Sequence, residues 1–71
     1  MRVLQTTDAS AMIELTYDEL VIVYSGLVEA MEALSEGEFL ARVGRTEGSA
    51  AQLALLLKNA LLGVEAERSD Q

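Results

Sequence analysis

A chain of 71 residues with a net charge of −7, no cysteine and no histidine is one small domain, near the lower size limit for a single hydrophobic core. Disulfides and the usual zinc sites are excluded by composition, so self-association is the reinforcement that remains for so small a fold. Hydrophobic residues at 51% exclude disorder, and the dispersed basic residues Arg2, Arg42, Arg45, Lys58 and Arg68 argue against phosphate-rich partners, whether nucleic acid or anionic membrane.

The first element in chain order is a β-hairpin. "RVLQ" (2–5) and "AMIEL" (11–15) are short and apolar or β-branched, and the turn-prone "TTDAS" separates them. The period of two predicts Ala11, Ile13 and Leu15 facing a core, with Met12 and Glu14 facing out. The start "MRVLQTTDAS" lacks the apolar region of a signal peptide, and no apolar run approaches the ~20 residues of a membrane span. A cytoplasmic location is expected.

Thr16 then opens a helix. Glu19 completes a capping box with it, and Leu15 and Leu20 are spaced as a hydrophobic staple. Asp18 and Glu19 lie in the first turn, where the helix dipole favours negative charge. From Tyr17 to about Glu36 the positions Leu20, Tyr24, Leu27, Met31 and Leu34 recur in steps of four and three, widened by Val21, Val23 and Val28, and Gly37 is read as the glycine that ends the helix. "EFLARV" (38–43) follows as a short helix closed by Gly44. "TEGSAAQLALLLKNALLG" (46–63) reads as a last helix capped by Thr46 or Ser49, with an inward stripe of Ala50, Leu53, Ala54, Leu57, Ala60 and Leu61, and stopped at Gly63. The domain is placed at 1–64, and the polar tail 65–71 is expected to fray. With only Tyr17, Tyr24 and Phe39 aromatic, the core is expected to be aliphatic. The expected fold class is α+β and predominantly helical, an N-terminal hairpin packed on two long helices and a short one.

Two resemblances bear on function. "FLARVGRTEGSAAQLALLL" resembles a helix-turn-helix, with Leu40, Gly44 in the turn, Thr46 at the cap, and Ala50 and Leu53 as inward positions. Its outward residues Glu47, Gly48, Ala51, Gln52 and Leu55 lack the donors that read base edges, so a degenerate DNA binder is only a third reading. Over its whole length the chain is also similar to short bacterial proteins with a capped helix, an "EF.R.G" turn (here Glu38, Phe39, Arg42 and Gly44) and a final helix. That likeness implies the layout and no activity.

Catalysis is not expected. The usual general base and the strongest nucleophile are absent, the serines have no activating partner in view, and "GRTEGS" lacks the lysine and spacing of a phosphate loop. No cofactor and no metal is expected. Asp18, Glu29, Glu32 and Glu36 form an acidic ridge, either a solvated face or a surface for a basic partner. The sharper feature is apolar residues on the wrong side. Ala51, Leu55 and Leu62 leave the stripe of the last helix, and Ile22, Gly26 and Ala33 lie opposite the stripe of the central one. Either the hairpin and the short helix cover them, or they are an interface. The sequence therefore favours a small acidic non-enzymatic interaction module, a homodimer built on Ile22, Gly26, Ala33, Ala51, Leu55 and Leu62. The alternative is an acidic inhibitor, of immunity, antitoxin or anti-restriction type, covering a basic surface.

Overall fold

The architecture, a computed structural model describing residues 1–69, is α+β and mostly helical. Strand β1 (Arg2–Thr6) pairs antiparallel with β2 (Ala11–Glu14), and three helices follow: α1 (Tyr17–Ala33), α2 (Glu36–Val43) and α3 (Glu47–Ser69). The hairpin turn is organised by Thr7, whose hydroxyl accepts from the amides of Ala9 (3.2 Å) and Ser10 (3.0 Å) while its own amide donates to the Ser10 carbonyl (2.8 Å). Val3 pairs with Ile13 and Gln5 with Met12, so Leu4 is the extra residue of a β-bulge.

The two strands do not pack over the helices, although Met1, just before β1, pairs through its ammonium with Glu19 of α1. No Cα of either strand comes within 8 Å of a helix Cα. Ala11 and Ile13, expected in the core, are exposed, Ile13 by 47%, and Leu15 is half-buried. The reason is the connection. Leu15 and Thr16 join β2 to α1, and Thr16 is extended (φ −70°, ψ 167°), so β2 runs on directly into α1 and is not laid back over the helix pair.

Thr16 caps α1 as its sequence predicts. Its hydroxyl accepts from the Glu19 amide (3.2 Å), and the Glu19 carboxylate accepts from the Thr16 amide (2.9 Å). The end of α1 differs from expectation. The helix stops at Ala33, Leu34 is extended, and Ser35 starts α2 with a second capping box, Ser35 Oγ to the Glu38 amide (3.2 Å) and Glu38 to the Ser35 amide (3.3 Å). Gly37 thus lies in the first turn of α2, because the S-x-x-E pattern at 35–38 satisfies more amides than a glycine stop would. Glu36 moves with it, off the central helix and onto α2. Gly44 ends α2 in the left-handed conformation (φ 83°), as expected. Thr46, and not Ser49, caps α3, accepting from the Ser49 amide at 3.2 Å. Both boxes are open to a direct test. Thr16→Ala and Ser35→Ala should each lower stability by about 0.5–2 kcal/mol in denaturant melts, and an unchanged midpoint would mean the cap contributes nothing.

α3 does not stop at Gly63 but runs to Ser69, so 65–69, expected to fray, is helical; the expected tail residues 70 and 71 lie outside the described residues. A mid-helix glycine costs only about 1 kcal/mol. Contacts beyond it outweigh that: Val64 is half-buried, the Tyr17 hydroxyl donates to Glu65 (3.3 Å), and the Arg68 guanidinium sits 4.5 Å from the Tyr17 ring centre.

The core is small. Among the described residues Leu20, Phe39, Ala50, Ala54 and Leu61 are buried, and Phe39 is the one large side chain fully shielded from water. It is therefore less purely aliphatic than composition suggested. α3 meets α1 along a narrow stripe of Ala50, Ala54, Leu57, Leu61 and Val64, spaced alternately four and three. Leu53 and Ala60, read as part of that stripe, are exposed, because a helix packed against one main neighbour buries a narrower face than one inside a bundle.

Candidate interaction surface

Tyr17 reaches Glu65 and Arg68 while Tyr24, two turns further along α1, lies 5.5 Å from the Lys58 ammonium, so α1 and α3 run antiparallel. At roughly 100° per residue, each helix has two flanks on either side of its inward stripe. In an antiparallel pair, residues displaced in the same rotational sense from the two stripes lie on the same face of the pair.

One face collects Asp18, Ser25, Glu29 and Glu32 from α1 with Ala51, Leu55, Lys58, Leu62 and Glu65 from α3, and it is mixed and polar. The other collects Val23, Gly26 and Ala30 from α1 with Leu53, Leu56 and Ala60 from α3. Between Val23 and Ala30, and between Leu53 and Ala60, this second face carries no charged side chain. Leu56 is 66% exposed and Leu53 is 51% exposed.

The six residues expected to form one interface are all exposed, Ile22 by 70% and Leu55 by 62%, but they are not brought together. Ala51, Leu55 and Leu62 flank Lys58 on the polar face. Ile22 and Ala33 occupy the back of α1, and Gly26 borders the apolar face. A side chain at Gly26 would meet nothing within 4 Å, so no close approach inside the chain explains that glycine. Of the acidic ridge, Asp18, Glu29 and Glu32 share the polar face of α1 and are exposed, whereas Glu36 caps the start of α2. Among the described residues no group of three or more acidic side chains is placed to hold a metal ion, and no helix is long and apolar enough to cross a membrane. The helix-turn-helix register also changes, because Leu40 and Leu53 point to solvent and Phe39 takes the inward place.

Sequence reasoning missed Leu56 altogether and assigned Val23, Leu53 and Ala60 to the inward stripes. The signal was present in "LALLLKNALL", whose leucines cover more of the helix circumference than one contact stripe needs. Which flank they joined depended on the direction and rotation of α1 beside α3.

Glu19 stands at the near end of the apolar face. It pairs with the Met1 ammonium, and that hydrogen bond, followed by the one from the Thr16 amide, lowers its carboxyl from the ordinary 4.5 to about 2. A carboxyl with a depressed folded-state pKa stabilises the fold fully above its unfolded value, and this stabilisation is lost as pH falls from about 4.5 toward 2. Thermal melts at pH 7 and pH 3 should show an acid loss in the wild type that shrinks in Glu19→Gln; equal losses would remove Glu19 from the acid response.

Compared with protein-family models, curated proteins and solved structures, the chain matches none.

Proposed function

We propose that this chain is a small, acidic, non-enzymatic protein–protein interaction module that acts in the cytoplasm as a homodimer. The observation that carries the reading is shape. The radius of gyration is 14.0 Å and the extents are 44 × 30 × 16 Å, against a radius of about 11 Å for a compact domain of this length. The chain is one helix layer thick with a hairpin standing off it. It exposes 5509 Å², about 1,200 Å² more than a compact monomer of the same mass. Much of what it exposes is aliphatic, including Ile22, Leu53, Leu55, Leu56 and Leu62. Two chains that each covered that excess would bury about 2,400 Å² together, the size of an obligate homodimer interface.

Sedimentation equilibrium tests this. A dimer with a mass twice 7.7 kDa is expected at micromolar concentration and in high salt, because apolar contacts survive screening. A monomer at high micromolar concentration would end the homodimer reading.

One observation favours the acidic inhibitor as a second reading. Asp18, Glu29 and Glu32 are exposed on the polar face, and Lys58 on the same face is drawn over Tyr24. Binding to a basic partner through that face would fall steeply with salt, which separates it from self-association.

A further inference from the structure

The hairpin is the least satisfied part of the fold. Val3 and Ile13 are directly paired, so both side chains leave the same side of the ribbon, yet they are 59% and 47% exposed. An isolated two-stranded hairpin is marginal in water and needs further strands or a covering layer to persist. No helix of its own chain supplies one. The α1/α3 pair has the converse deficit, an uncharged apolar face of Val23, Leu53, Leu56 and Ala60 with no layer over it.

We propose that a second copy of this chain resolves both deficits, each copy's hairpin lying across the apolar α1/α3 face of the other, with Val3 and Ile13 against Leu53 and Leu56. This rests on the homodimer reading and specifies its interface. Three features select this occupant. The two uncovered surfaces are chemically alike, and among the described residues no strand Cα lies within 8 Å of a helix Cα of the same chain, so neither surface covers the other. A two-fold axis makes one contact serve twice, hairpin of the first on helices of the second and the reverse. The surplus of about 1,200 Å² per chain over a compact monomer is the amount such an exchange has to cover.

The absence of cysteine makes a direct test clean. Ile13→Cys and Leu56→Cys variants, one carrying a mass tag, are mixed and oxidised gently, with Leu55→Cys on the opposite face as control; circular dichroism confirms that each keeps its helix content. The expected product is a mixed disulfide between the Ile13→Cys and Leu56→Cys chains, formed at least ten-fold faster than with the Leu55→Cys control. Alongside it, Ile13→Glu should raise the dimer dissociation constant at least ten-fold in sedimentation equilibrium. If the wild type sediments as a dimer but the mixed disulfide forms no faster than the control, or Ile13→Glu leaves the dissociation constant unchanged, the hairpin arm is wrong and the homodimer stands. If the wild type is a monomer, both are wrong.

Discussion

Phe39→Ala is expected to remove about half or more of the chain's stability. Among the described residues Phe39 is the sole large side chain at 0% exposure, and two of the four other buried residues are alanines, so little else fills the junction of α2 with the long helices. Removing a buried phenylalanine typically costs about 3–5 kcal/mol. A domain of this length, at about 0.05–0.15 kcal/mol per residue, has roughly 4–10 kcal/mol in all. Far-UV circular dichroism should show lost helix at 25 °C, or a denaturant midpoint reduced by half or more. The neighbouring Leu40→Ala, at a half-exposed position, should shift stability by only about 1 kcal/mol. Equal effects of the two substitutions would mean that the core does not close around Phe39.

Leu56→Glu should dissociate the proposed homodimer, while Leu55→Glu should not. The two leucines are adjacent in sequence and similarly exposed, but they lie on opposite flanks of α3. A carboxylate placed on the uncharged face must be desolvated without a partner or hold the subunits apart, a cost of about 2–4 kcal/mol that corresponds to a dissociation constant raised by roughly 30- to 1,000-fold. On the other flank the new carboxylate stays near Lys58 and in water. Sedimentation equilibrium of both variants at several concentrations reads the difference. A dimer split by Leu55→Glu and kept by Leu56→Glu would move the interface to the face of Ala51, Leu55 and Leu62. Because both positions are exposed in the single chain, neither substitution should disturb its fold.

These expectations rest on different levels of the molecule. The start of α1 was legible because a capping box is a local device: Thr16, Glu19 and the amides they satisfy all lie within four residues. Ser35 and Glu38 form the same local device, so the S-x-x-E spacing at 35–38 marks the start of α2 and Gly37 falls inside its first turn. Gly44 was legible too, since the left-handed conformation that closes α2 is one that glycine adopts without strain.

Local chemistry thus fixes the set of elements: a turn nucleated by Thr7, caps at Thr16, Ser35 and Thr46, a break at Gly44, and more leucine on α3 than one contact stripe uses. Each depends on hydrogen bonds or backbone preferences closed within a few residues. The tertiary structure alone decided which apolar residues became core and which stayed at the surface. Leu53 and Leu57 are both leucines on one helix, one turn apart, and periodicity placed them together. Only the rotation of α3 against α1, set by Tyr17 and Tyr24 meeting Glu65, Arg68 and Lys58 and by the small Ala50 and Ala54 at the contact, turns Leu57 inward and leaves Leu53 out. The stand-off of the hairpin was likewise decided at that level, because β2 runs into α1 through two residues and the distance it must cross to reach the helices is a property of the assembled fold.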